Sequence, residues 1–122
     1  MQHDPAQVVL VAHSLACIAV VFWANQFKRP IKAAMLVAPA DSEAADFPEG
    51  STGFTPIPLE PLPFRSLVVA STTDHYITDK RARQLAQAWG SDFVSIGAAG
   101  HINTDAGFGE WEEGLELLKR LC

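Results

Sequence analysis

The sequence predicts an α/β fold in which a mostly parallel sheet of about four strands lies between two layers of helices. Two observations support this prediction. Several apolar runs lack alternation with polar residues, as is typical of parallel strands that are covered on both faces. Segments with the apolar spacing of a helix lie between most of these runs, and a helix is the usual connection between two parallel strands of one sheet.

The first strand and the first helix come from one apolar stretch, residues 8–24, which is interrupted only at His13 and Ser14. A membrane span needs about 20 apolar residues without such an interruption, and a signal peptide needs a basic segment in front of it. The sequence has neither feature. We therefore predict a buried strand over residues 8–12 and a buried helix over residues 15–26, with a turn between them.

The rest of the chain contains three more strand patterns and two more helix patterns. Thr78 is a suitable N-cap for the second helix and Gly90 a suitable end for it, with an apolar stripe between them. Trp111, Leu115 and Leu118 mark a closing amphipathic helix. The further strands are predicted over residues 33–38, 66–70 and 93–96.

A proline-rich segment, residues 39–63, shows neither helical spacing nor strand alternation. We expect it to form a long ordered loop or cap over the functional site. Bulky apolar residues in this segment and directly after it suggest that a substrate would offer an apolar acyl group. These residues are Phe47, Phe54, Ile57, Leu59 and Phe64.

The composition is that of one globular domain. The chain has 122 residues, of which 48% are apolar, and this is enough for one core, so we expect a single domain over residues 1–122. The balance of 9 basic against 14 acidic residues argues against nucleic acid as the main partner. The two cysteines match no metal-ligand spacing. We therefore expect a cytoplasmic protein that needs no metal or other cofactor.

Three candidate catalytic residues follow strands of the predicted sheet. Parallel sheets present functional groups at the carboxyl ends of their strands, and those ends deliver Ser14, Asp74 and His101 in turn. A nucleophilic serine needs a base to take its proton and an acid to orient the base. The chain order serine, acid, histidine is the order of hydrolases that carry the serine on a strand-to-helix elbow. The sequence therefore predicts Ser14 as nucleophile, Asp74 as acid and His101 as base.

The elbow around Ser14 departs from the glycine-flanked pattern, because Ala12 and Ala16 stand two residues before and after it. Both are small, so strand and helix can still approach each other closely. Leu15 follows the nucleophile, and its backbone N–H is the predicted donor to the oxyanion hole. The pentapeptide alone leaves an alternative open, in which Ser14 is only the N-cap of the helix.

Other polar residues compete for the catalytic roles. His3 lies in the terminal tail, His75 directly follows the candidate acid, and His13 is expected to point away from the catalytic side of its neighbour. Cys17 lies on the buried helix and is expected to be a core residue. The positions of three further aspartates suit capping or solvated residues, namely Asp79, Asp92 and Asp105.

Five short motifs resemble the serine hydrolase family that includes retinoblastoma-binding protein nine and bacterial YdeN. The resemblance extends along essentially the whole chain and implies a partial α/β-hydrolase fold. It also implies the same roles for Ser14, Asp74 and His101. The motifs lie at residues 12–16, 38–41, 56–58 together with 61–64, 70–74 and 97–103.

The chain departs from this family at several positions. Members often have glycine where Ala12 and Ala16 stand, and proline where His75 stands. They also resemble one another in a strand and a glycine-rich loop ahead of the elbow, which supply the second oxyanion donor. This chain begins shortly before its elbow strand, so we expect an N-terminally truncated domain that lacks this donor. Loss of one donor costs roughly 10²–10³ in rate.

Two functions are compatible with these observations. The first is a serine hydrolase that cleaves a small-molecule ester or amide through an acyl-Ser14 intermediate, without nucleic acid or a membrane as partner. The alternative is a catalytically silent module that binds a small molecule or a protein. The position of His101 discriminates between them, because catalysis requires it to be within hydrogen-bonding reach of both Ser14 and Asp74.

The predicted first strand, residues 8–12, becomes an edge of the sheet when the preceding strand is absent. It is apolar and lacks the charge, proline or bulge that usually protects an edge strand. We therefore expect the chain to be a homo-oligomer, most simply a two-fold dimer.

Overall fold

A computed structural model describes residues 7–28, 31–44, 55–103 and 111–121. These residues contain four strands and three helices, close to the predicted boundaries. In chain order they are β1 (Val9–His13), α1 (Leu15–Phe27), β2 (Ala33–Val37), β3 (Arg65–Ala70), α2 (Asp79–Trp89), β4 (Asp92–Ser95) and α3 (Glu112–Leu121).

The four strands form one parallel sheet in the order β1-β2-β3-β4. Every residue of β2 is buried, as its uninterrupted apolar sequence predicts. Because all four strands run in the same direction, their carboxyl ends meet at one edge of the sheet. This edge, which we call the carboxyl edge, receives Ser14 after β1 and the loop to Asp74 after β3.

Helices cover both faces of the sheet and produce two core clusters. On one face, α1 and α2 pack with Leu36 and Val68 of the central strands. On the other face, Leu117 and Leu121 of α3 pack with the alternate strand residues. The predicted three-layer α/β fold is therefore confirmed. None of the described helices is both long enough and apolar enough to cross a membrane.

The local sequence explains where helix α2 begins, where it ends and which face it buries. The Thr78 hydroxyl accepts a hydrogen bond from the N–H of Arg81 and so caps the amino end of the helix. At the other end, Gly90 takes a left-handed conformation with φ of 68°, which a glycine adopts without steric cost. The predicted apolar stripe is buried against the sheet, and its members are Ala82, Leu85, Ala86 and Trp89.

Strand β1 lies at an edge of the described sheet and pairs with β2 alone. Residues 10 and 12 belong to the face that α1 covers. On the opposite face, α3 contacts β2 and β3, and Val11 of β1 is 57% exposed. Within the described residues, this strand therefore has an uncovered edge and an uncovered apolar side chain.

The described part of the proline-rich segment packs against the helices. Trp89 donates its indole N–H to the carbonyl of Pro58 over 2.8 Å, and the N–H of Leu62 donates to the carbonyl of Trp89 over 2.9 Å. Ile57 is buried in the cluster under α1 and α2, and Leu59 is 55% exposed. Ile57 therefore helps to attach this segment to the core, and the apolar acyl group inferred from these residues stays a prediction. Residues 45–54 lie outside the described residues.

Candidate active site

Ser14 occupies a strained turn between β1 and α1. Its φ of 61° and ψ of −129° are rarely adopted by a residue with a side chain, and such a conformation costs about 1–3 kcal/mol. Two backbone hydrogen bonds tie this turn to the end of β2. The N–H of Ser14 donates to the carbonyl of Val37 over 3.0 Å, and the N–H of Ala40 donates to the carbonyl of Ser14 over 3.3 Å.

The structure excludes the alternative in which Ser14 is only an N-cap, because its side chain makes no capping hydrogen bond to α1. The strained backbone instead places Oγ at the carboxyl edge. The turn accommodates alanine in place of glycine on both sides of Ser14, because Ala12 is buried in the core and Ala16 is exposed to solvent.

The three predicted catalytic residues lie in one chain of hydrogen bonds. His101 Nε2 is 2.7 Å from Ser14 Oγ, and His101 Nδ1 is 2.9 Å from Asp74 Oδ2. A carboxylate only accepts hydrogen bonds, so Nδ1 carries a proton, and Nε2 of the neutral ring accepts from the serine hydroxyl. His101 therefore lies within hydrogen-bonding reach of both Ser14 and Asp74.

Asp74 is buried and hydrogen-bonded next to the histidine. Its side chain is fully buried, and that of His101 is 10% exposed. The N–H of Tyr76 donates to Asp74 Oδ1 over 2.8 Å, which forms a turn of the type that aspartate favours. The carboxylate is thus held in one orientation by backbone and imidazole donors together.

Two hydroxyl groups next to Asp74 hold the turn that carries His101. The Ser71 hydroxyl accepts from the N–H of Ala99 over 2.9 Å, and the Thr73 hydroxyl accepts from the N–H of Gly100 over 3.0 Å. Ser71 and Thr73 are not among the residues predicted from the sequence. Their position in a polar turn directly before the acid is the signal that could have found them.

Comparison with known proteins places the chain in a family. Residues 1–120 match the family model described as serine hydrolase. The chain belongs to the serine hydrolase family. A structure described as that of a YdeN-like hydrolase from Pectobacterium atrosepticum is 38% identical, with a TM-score of 0.80 over 97% of this chain and 60% of that one. The predicted family resemblance is thereby confirmed.

More distant structures share the fold alone. The YdeN protein of Bacillus subtilis is 18% identical, with a TM-score of 0.68 over 93% of this chain and 64% of that one. A carboxylesterase from Bacillus cereus is 13% identical, with a TM-score of 0.64 over 98% of this chain and 52% of that one. The chain therefore spans less than two thirds of the length of these proteins. No curated protein matches it in sequence.

The predicted oxyanion donor lies at the amino end of α1. Leu15 is the first residue of the helix, and the first N–H groups of a helix have no acceptor within it. The helix dipole also favours negative charge at this end. The second donor of such sites comes from a loop ahead of the elbow strand. Residues 1–6, which precede β1 here, lie outside the described residues.

Two aromatic rings contact the predicted base. Tyr76 is 43% exposed, and its ring centroid is 4.4 Å from that of His101. Tyr76 is not among the residues predicted from the sequence. The ring of His13 lies 4.7 Å from that of His101, and its Nε2 is 2.7 Å from the His101 carbonyl oxygen. The expectation that His13 points away from the site is therefore wrong.

The remaining candidates lie elsewhere in the fold. Asp79 forms an ion pair with Arg83 over 2.9 Å, and Asp92 is exposed at the start of β4. Burial raises the pKa of the Cys17 thiol far above its usual range, so this residue stays protonated in the core, as expected of a structural cysteine. The described residues contain no cluster of three or more metal-ligating side chains. His3 and Asp105 lie outside the described residues.

Proposed function

We propose that this chain carries the catalytic centre of a serine hydrolase that cleaves an ester or amide bond through an acyl-Ser14 intermediate. One observation carries the proposal, namely the continuous hydrogen-bonded path from Asp74 through His101 to a strained Ser14. Its substrate would be a small molecule. We further propose that it acts in the cytoplasm without a metal or other cofactor.

The reaction begins with proton transfer from Ser14 Oγ to His101 Nε2 as Oγ attacks the carbonyl carbon. The new C–O bond converts the carbonyl oxygen to an oxyanion, which the N–H of Leu15 stabilises. His101 then gives its Nε2 proton to the leaving alcohol or amine, and the C–O or C–N bond breaks. Water repeats the two steps with His101 as base, which releases the acid and restores Ser14.

Asp74 acts through His101 and undergoes no bond change. Its buried carboxylate fixes the tautomer with the proton on Nδ1, so that Nε2 is free to accept the serine proton. When the ring becomes an imidazolium, the negative charge of Asp74 lies within 3.0 Å of it. This contact stabilises the charged form in a site with little solvent.

A fluorophosphonate probe tests the proposal because an activated serine attacks its phosphorus, displaces fluoride and becomes phosphonylated. We expect one adduct, located on Ser14 by mass spectrometry, and none in Ser14→Ala. Ser95→Ala is the matched control, because Ser95 lies at the exposed end of β4 and should leave labelling unchanged. An adduct that persists in Ser14→Ala would contradict the assignment.

The second candidate is a silent binding module. One observation favours it: the chain matches only 60% of the YdeN-like hydrolase. The activity of that hydrolase can depend on parts that lie beyond the match. Hydrolysis of p-nitrophenyl esters of increasing chain length distinguishes the two. A hydrolase gives turnover that disappears in Ser14→Ala, and a silent module gives the same background rate for both proteins.

A further inference from the structure

We infer that His13 is a positioning residue that sets the distance between the base and the nucleophile. The inference rests on the proposed function, because it gives His13 a task in the same reaction. Its primary observation is the 2.7 Å contact between His13 Nε2 and the carbonyl oxygen of His101. A carbonyl oxygen only accepts hydrogen bonds, so Nε2 of His13 is the donor and carries a proton.

The sheet register explains why His13 reaches this carbonyl. His13 pairs with Val37 of β2, and directly paired residues of neighbouring strands point to the same face of a sheet. Val37 belongs to the core cluster on the α3 face, and so does Ile102, the residue after the base. The turn that carries His101 is therefore anchored on the face to which His13 points.

This turn needs external support because its backbone is tight. Ile102 has a φ of 49°, which is unfavourable for a β-branched residue, and its N–H bonds to the carbonyl of Ala99 over 3.1 Å. Ser71, Thr73 and Asp74 all hold the turn from the loop after β3. They fix the base relative to its acid.

His13 holds the same turn from the opposite side. It is the last residue of β1 and the direct neighbour of Ser14. One strand end thus carries the nucleophile and also fixes the backbone of the base. Removal of this bond should disturb the distance from His101 Nε2 to Ser14 Oγ and leave the contact between His101 and Asp74 in place.

The primary test compares three variants by their rate of fluorophosphonate labelling at Ser14. His13→Phe keeps a ring of similar size and removes the donor, so we expect labelling about tenfold slower, the rate equivalent of one hydrogen bond. His13→Gln returns an N–H at a similar distance from the backbone and should recover most of the rate. His75→Phe is the matched control, because His75 is exposed, and it should label at the unchanged rate.

NMR of the three variants separates positioning from a general structural role. The downfield proton on His101 Nδ1 should persist in His13→Phe, because the loop after β3 still holds the acid and base together. Loss of this signal together with loss of thermal stability would assign His13 a structural role and overturn the inference. Labelling of His13→Phe at the rate of the unmodified protein, or no recovery in a folded His13→Gln, would overturn it equally.

A tautomer measurement keeps the test independent of activity. In protein labelled with ¹⁵N-histidine, the imidazole signals that disappear in His13→Phe belong to His13. In the unmodified protein we expect these signals to show the proton on Nε2. A proton on Nδ1 would overturn the inference whether or not Ser14 reacts. If the unmodified chain fails to label although His13 carries its proton on Nε2, the proposed function fails while the inferred contact stands.

Discussion

Ser71→Ala tests whether the hydroxyls beside the acid hold the base in place. The Ser71 side chain is buried, and its Oγ accepts from the N–H of Ala99 over 2.9 Å and from the N–H of Thr73 over 3.2 Å. Each lost hydrogen bond costs about 0.5–1.5 kcal/mol net, so the free energy of unfolding should fall by about 1–3 kcal/mol. Urea denaturation followed by tryptophan fluorescence measures this change.

The same variant should slow fluorophosphonate labelling of Ser14, because the turn that carries His101 loses one of its anchors. Thr72→Ala is the matched control. Thr72 is exposed, so its truncation should change stability by less than about 0.5 kcal/mol and leave labelling unchanged. If Ser71→Ala and Thr72→Ala behave alike in both assays, the reasoning about the turn is refuted.

Three further predictions follow from the site, the core and the sheet edge. Asp74→Asn should slow labelling of Ser14 roughly 10³–10⁴-fold, because an amide can hold the His101 ring with its proton on Nε2, where it blocks acceptance of the serine proton. An equal effect of Asp79→Asn would contradict this prediction. Burial raises the pKa of the Cys17 thiol in the folded chain, and the unfolded chain has the ordinary thiol pKa of about 8.5. Above that pH the unfolded chain loses the proton that the folded chain keeps, so the free energy of unfolding should fall as the pH rises. Urea denaturation at pH 7 and 9.5 measures the fall, and an equal fall in Cys17→Ala would count against this cause. Self-association through β1 should weaken in Val11→Glu, which adds a charge to the exposed face of the edge strand. Sedimentation across a range of concentrations checks it, and a persistent monomer of the unmodified chain would show the prediction to be wrong.

The geometry of this site also shows what a local sequence pattern cannot predict. Chain order and strand ends predicted Ser14, Asp74 and His101 as partners, and the structure brings these three side chains together. The prediction that His13 points away from the site was wrong, because alternation along a strand indicates which residues share a face but not what packs on that face. The contact with His101 depends on where a turn 88 positions further along the chain is anchored.

The bulky residues of the proline-rich segment illustrate the same limit. Ile57 and Phe64 are apolar in sequence, and nothing local distinguishes a pocket residue from one that attaches the segment to the core. The structure shows both packed with the cluster under α1 and α2. Phe47 and Phe54 lie outside the described residues, so the acyl preference stays a prediction that the ester series tests.

The sequence by itself determined the strands, the helices and the order in which the catalytic candidates reach the carboxyl edge. These features depend on local apolar periodicity and on chain direction, and both can be read from neighbouring residues. Only the tertiary structure decided that Tyr76 and His13 contact His101 and that Ser71 and Thr73 hold the turn that carries it. Their contacts join loops from different strands, and such contacts are set by sheet register and packing, which a single sequence does not reveal.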